Sequence, residues 1–124
     1  MNEKPKVLII DDEEPFLLVM TEKLSDYFQV TVAKDGQAGL ERALAEHPDL
    51  ILLDIVMPKM HGWDVYEKLR RDDWGKWVPV VIMTNVANKY KAEQGAKSGE
   101  FDYCVKSDYN LEEIVEKIKD KLKK

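Results

Sequence analysis

The chain has one cysteine, Cys104, which leaves no intrachain disulfide and no cysteine-built zinc cage, and fits a reducing compartment. It has no apolar run near the roughly 18 residues that a membrane-crossing helix needs. The only apolar stretch near the start, Val7-Leu8-Ile9-Ile10, is too short for a secretion signal. The expectation is a cytoplasmic protein without a membrane segment. Net positive charge is missing too: 19 Lys and Arg stand against 24 Asp and Glu, a formal charge of -5. Without a general basic field, direct nucleic-acid binding is not expected. No internal repeat, low-complexity tract or Pro/Gly/Ser linker divides the 124 residues, and one domain over 1–124 is the expected organisation.

What is present is acid in an uneven distribution. Residues 1–64 hold six Lys and Arg against thirteen Asp and Glu, whereas residues 65–124 hold thirteen against eleven. Three runs are apolar at consecutive positions, Val7–Ile10, Leu50–Leu53 and Val80–Met83, the pattern of strands buried on both faces. Two alternating segments, Phe28/Val30/Val32 and Phe101/Tyr103/Val105, read as strands at sheet edges.

Helical spacing connects them: Phe16/Leu17/Met20/Leu24, Ala38/Leu40/Ala43/Leu44, Val65/Tyr66/Leu69 and Leu111/Ile114/Val115/Ile118/Leu122. Pro15 suits a first helical turn, Asp35 an N-cap, and Asn110 with Glu113 a capping box. A further helix within Asn88–Ser98 has Gly95, three lysines and little apolar content beyond Tyr90, so it is marginal unless packed. Alternating strands and helices predict an α/β fold with five parallel strands in the order 2-1-3-4-5 and helices on both faces. That order places a ligand crevice at the carboxyl ends of the first and third strands.

The strand ends carry Asp11-Asp12, Asp54, Thr84 and Lys106. Carboxylates converging there repel: at ~5 Å and an effective dielectric of ~20, each pair costs about 3 kcal/mol. Lys106 supplies one offsetting charge, and a hard cation with oxygen ligands such as Mg²⁺ is the better match. A metal, a lysine and a threonine hydroxyl suit a phosphoryl group, with a carboxylate as nucleophile. Asp54, on the central strand, is the candidate.

These residues, namely Asp11-Asp12 after Val-Leu-Ile-Ile, Asp54 followed by Met57-Pro58 and Gly62, Thr84 after Val-Ile-Met, and Lys106 after Tyr103, resemble the response-regulator receiver domains of two-component signalling. The resemblance covers essentially the whole chain and is closest in kind to stand-alone chemotaxis regulators. It implies a flavodoxin-like (βα)5 three-layer sandwich in which Asp54 takes a phosphoryl group from a phosphohistidine on a sensor histidine kinase or phosphotransfer protein. Asp12, Asp54 and the backbone carbonyl of Val56 would hold Mg²⁺, with Asp11 reaching it through water. Lys106 and Thr84 would bind phosphoryl oxygens. Movement of Thr84 would let Tyr103 turn inward and alter the face of the fourth helix, fifth strand and fifth helix, where a downstream effector protein would dock. The implied molecule is a signalling phosphoacceptor rather than a turnover enzyme, either a monomer or a phosphorylation-dependent dimer. The rival readings are a haloacid-dehalogenase-like phosphatase, which wants Asp-x-Asp where this chain reads Asp11-Asp12-Glu13, and an unphosphorylated scaffold of the same shape.

Five positions depart from the family pattern. Ser107 stands where proline is usual, so a trans Lys106–Ser107 bond is expected, because a cis bond before a non-proline residue costs roughly 2.5–4 kcal/mol. Asn85 stands where a small residue is usual. Val56 and Val86 are apolar where some relatives carry residues that guide the attacking water, which predicts slow self-hydrolysis of the phosphoform. His61 occupies a place where relatives often have Asp, and reads as a solvated loop imidazole; His47 reads as a helix-end residue. Trp63, Trp74 and Trp77 read first as packing against helix sides, with Trp74 and Trp77 also weighed as a partner surface. Cys104 reads as a buried small hydrophobe. The Lys-rich segment Lys117–Lys124 reads as the complement of the last helix's negative end.

Overall fold

In the computed structural model, residues 4–57, 59–85, 89–99, 101–108 and 110–123 are described. The three apolar runs form β1 (Lys6–Ile10), β3 (Leu50–Asp54) and β4 (Val80–Thr84), buried along nearly their whole length. The alternating segments form β2 (Gln29–Ala33) and β5 (Asp102–Val105), whose residues are mostly half-buried. All neighbours pair parallel in the order β2-β1-β3-β4-β5, as the alternation of elements predicts. Phe28 and Phe101 fall just outside the two edge strands, yet both are buried. Each anchors the chain as it enters its strand.

Five helices cover the two faces: α1 (Glu14–Leu24), α2 (Gly36–Glu46), α3 (Gly62–Arg71), α4 (Lys89–Lys97) and α5 (Leu111–Leu122). One core packs α1 and α5, through Met20, Leu24, Ile114 and Ile118, on the odd positions Val7 and Ile9 of β1. The other packs α2, α3 and α4, through Leu40, Leu69 and Ala92, on Leu8 and Ile10. The period-2 alternation of a strand thus feeds both cores at once.

The helix starts follow local chemistry. Asp35 caps α2 through Ala38 N–H, and Asn110 caps α5 through the N–H groups of Glu112 and Glu113. In α3 the cap is His61, whose exposed ring accepts from Trp63 N–H. His47 ends α2 in the left-handed conformation, with φ 51°. The stripe expected on α2 needs correction: Ala38 and Leu44 face outward, and the buried positions are Gly36, Gly39, Leu40 and Ala43. A Cβ at 39 would lie 2.6 Å from Ile10, so α2 comes down on β1 through its smallest residues.

The helices are anchored unequally. Ile114, Val115 and Ile118 of α5 are almost completely buried, each contributing roughly 1.5–3 kcal/mol. Helix α4 inserts Ala92, while Tyr90 points to solvent at 74% exposure. Its close approach comes from Gly95, where an added Cβ would sit 2.0 Å from the Phe101 ring.

Candidate functional site

The sheet register brings the predicted residues to one end. Asp54 closes β3 beside Met83, and Thr84 closes β4 beside Val105. Asp11 follows β1 directly, and its backbone N–H donates to the Ala33 carbonyl at 3.0 Å. Its Oδ1 accepts from Glu13 N–H at 2.8 Å, an Asx turn that steers the chain into α1. Lys106 follows β5 and opens a 3-10 turn, Lys106–Asp108. The Lys106–Ser107 bond is trans, in keeping with a serine in place of proline. Gly62 lies under the site, since a Cβ there would come within 2.2 Å of the Asp54 carbonyl. Only glycine lets α3 begin this close to the end of β3.

Asp11 and Asp54 are buried, at 1% and 7% exposure, and Asp12 is exposed. One carboxylate oxygen from each of the three lies within 4.8 Å of the others. Lys106 Nζ stands 2.8 Å from Asp11 Oδ2 and 3.7 Å from Asp54 Oδ1. It also pairs with Glu13 and lies 4.4 Å from the centroid of the Phe16 ring. The approach to Asp11 is an ion pair without hydrogen-bond alignment, and Asp11 Oδ2 is a buried oxygen with no hydrogen bond. Around the cluster opens a cleft of about 720 Å³, lined also by Pro15, Val19, Val56, Asn85 and Ser107.

The electrostatics follow from that crowding. Burial, then the charge of Asp11, pushes the Asp54 carboxyl up to about 7 against the pull of Lys106. Burial likewise raises Asp11, although Lys106 and the Glu13 N–H oppose it. Burial alone would lower Lys106, but its close contacts with the Asp11 and Glu13 carboxylates and the charge of Asp54 outweigh it, and its ammonium form is reinforced. Two buried carboxyls whose charged forms are disfavoured, with one lysine between them and an Asp11 oxygen that makes no hydrogen bond, suit a further positive charge. The donor set is all oxygen, as a hard divalent cation requires.

Thr84 is fully buried, and its hydroxyl donates to the Asn85 carbonyl at 3.1 Å. Tyr103 is half-buried, with its hydroxyl 3.4 Å from Glu93 of α4. Val56 is 52% exposed at the cleft wall; Val86 and Pro58 lie outside the described residues. Glu13 and Phe16 are the site neighbours that sequence reasoning missed. The available signal was that both sit in the segment opening α1 directly after Asp11-Asp12. Cys104 is half-buried rather than buried, and burial pushes its thiol up to about 11, so it stays protonated and a poor nucleophile.

Comparison with known proteins agrees with this arrangement. Residues 7–119 match the family model described as the response regulator receiver domain. The chain is 36% identical over 102 residues to the response regulator PleD of Caulobacter vibrioides, covering 82% of this chain but 22% of that protein. It thus spans about a fifth of that relative's length. Among solved structures, the chemotaxis response regulator CheY4 of Vibrio cholerae superposes with a TM-score of 0.84 at 27% identity, over 96% of this chain and 99% of that one. A CheY-like receiver domain protein from Methanospirillum hungatei gives 0.85 at 27% identity, over 98% and 95%. With the fold, the matched span and these relatives in agreement, the chain belongs to the response regulator receiver domain family.

Proposed function

We propose that residues 1–124 work as one receiver unit that accepts a phosphoryl group on Asp54 from a phosphohistidine of a histidine kinase or phosphotransfer protein. The observation that carries this reading is a buried Asp54 carboxylate at the sheet's carboxyl end, opening onto a cleft with Lys106 Nζ 3.7 Å away. Asp12, Asp54 and the Val56 backbone carbonyl would hold Mg²⁺, with Asp11 and its unsatisfied Oδ2 behind them. When bound, the ion supplies positive charge against the carboxylates and the phosphoryl oxygens.

The chain's own residues divide the rest of the work. An Asp54 oxygen attacks phosphorus as the phosphorus–nitrogen bond of the donor breaks; the imidazole nitrogen keeps that electron pair and takes up a proton. Lys106 stabilises the charge on the phosphoryl group in transit. Thr84 must turn its hydroxyl from the Asn85 carbonyl toward a phosphoryl oxygen. That rotation would free the space into which Tyr103 swings, breaking its contact with Glu93 and shifting weakly anchored α4. The face of α4, β5 and α5 would then present a changed surface to an effector protein. The reading is that of a cytoplasmic signalling protein without turnover chemistry of its own.

The test is acetyl phosphate with Mg²⁺, followed by intact mass. One added phosphate on the wild type and none on Asp54→Asn is the expected result. Sustained turnover of small phosphate esters would favour the phosphatase reading instead, and no labelling at all would favour the scaffold.

A further inference from the structure

The two tryptophans of the loop after α3 have opposite fates. Trp74 stacks on His47, with centroids 4.3 Å apart and planes 10° from parallel, and packs against the core. Trp77 is 78% exposed, the most exposed large hydrophobic side chain among the described residues. That exposure is built rather than incidental. Asp72 Oδ2 accepts from the N–H groups of Trp74 and Gly75 at 2.9 and 2.8 Å. Arg70 donates to the carbonyls of Gly75 and Val78 at 2.7 and 2.8 Å. At Gly75 a Cβ would meet the Leu69 carbonyl at 2.3 Å. The loop backbone is therefore pinned from both sides at the root of the indole, so little backbone freedom is lost on contact.

Around that indole the charge inverts. Two clefts, of about 770 and 560 Å³, share Trp77 and Pro79 on their walls. Their lining holds six cations, Lys4, Lys6, Arg70, Arg71, Lys76 and Lys121, against only Glu67 and Asp49. The chain as a whole has a net charge of -5. Some of this is complement to helix ends, since Arg70, Arg71 and Lys121 sit in the last turns of α3 and α5. Lys4 lies outside the helices but donates to the Ser25 carbonyl at the end of α1, at 3.0 Å, whereas Lys6 and Lys76 have no such explanation. The patch is at the amino ends of the strands, opposite the carboxylate cluster.

We propose that Trp77 and the surrounding cations form a second docking surface, which takes an acidic protein segment carrying an apolar side chain onto the indole. Charge complementarity selects an anion, and an exposed, rigid Trp is the residue type that dominates protein contacts. A nucleic acid fits less well, because a lone indole offers no series of stacking platforms. The helix ends facing the patch present carbonyls rather than the N–H groups that cradle phosphate. A lipid surface fits less well too, because no amphipathic helix accompanies the Trp.

The probe is a short fluorescein-labelled peptide of Asp and Glu with one central Phe, titrated with the whole chain. Saturable binding that weakens with salt is expected, with Trp77→Ala about tenfold or more weaker and the double change Arg71→Glu/Lys76→Glu weaker still. Asp54→Asn should bind like the wild type, which separates this surface from the phosphoacceptor reading. Amide shifts in the wild type should cluster at 70–79, 4–6 and 121–122, a readout that needs no variant to fold. Absence of binding, equal binding by Trp77→Ala, shifts centred elsewhere, or tighter binding of oligo-dT or phosphatidylserine vesicles would each overturn the proposal.

Discussion

Lys106 is tied to Glu13 across the mouth of the carboxylate cleft, a pairing between residues 93 positions apart in sequence. The lysine proposed to serve the phosphoryl group is thus held by a residue on the rim, and on that proposal releasing it adds to the barrier. Glu13 is well exposed, at 62%, so solvent screens the pair and its worth is within about 1 kcal/mol. Glu13→Gln should speed labelling by acetyl phosphate by about two- to fivefold. Stopped labelling at intervals with intact mass measures this, and a slower variant would show that Glu13 helps rather than detains the lysine.

Asp54 makes stability depend on pH with an unusual sign. Its carboxyl titrates near 7 in the folded chain against 3.8 for the free group. Between those values the folded state keeps a proton that the unfolded state has lost, so stability falls as pH rises from about 4 to about 7. Without divalent cation, Asp54→Asn should lose the Asp54 share of this dependence, keeping that of Asp11, and exceed the wild type at pH 8 by a few kcal/mol on the order set by that shift. Mg²⁺ should narrow the gap. Urea midpoints at several pH values check it; a wild type that gains stability over that window relative to the variant would refute it.

If Asp54 is the phosphoacceptor, as proposed, Val56 should set the lifetime of the phosphoform. Half exposed on the cleft wall, it offers no hydrogen bond to an attacking water. Decay of the Asp54 phosphoform should therefore be slow, and Val56→Asn should accelerate it severalfold. Loss of label after removal of acetyl phosphate measures both rates. Decay within seconds, unchanged in the variant, would contradict this account.

Gly95 decides how close α4 can sit. An added Cβ would strike the Phe101 ring at 2.0 Å, and that ring is braced by Trp63 and Tyr66 at 5.6 and 5.3 Å. Alanine at 95 would gain about 1 kcal/mol in helix propensity, whereas overpacking costs typically 1–3 kcal/mol. Gly95→Val adds a branched side chain to the same collision and should be clearly destabilising. Amide exchange should quicken in α4 before β3 or β4. Uniform quickening across the sheet would show that α4 does not respond as a separate unit.

The sheet was legible because its central strands are solid apolar runs and its carboxylates sit at strand ends, where parallel topology gathers them. Three features were not legible. The buried stripe of α2 includes Gly36 and Gly39 beside Leu40 and Ala43, and hydrophobic periodicity is blind to positions chosen for smallness. The Glu13–Lys106 pair depends on where a turn after β5 sends a long side chain, which spacing in sequence does not encode. Trp74 and Trp77 share one polar loop, and only the pinning of that loop by Asp72 and Arg70 sends one inward and the other out.

The three tryptophans also make the molecule its own spectroscopic map. Trp63 touches Phe101 and lies under the Lys91 ammonium at 4.7 Å, so its emission follows the position of α4. Trp74 is stacked on the His47 imidazole, so its emission reports on that contact at the end of α2. Trp77 is in water and should emit furthest to the red. Two-tryptophan-to-phenylalanine variants would isolate each colour, separating signals from α4, the α2 end and the basic patch without attaching a dye.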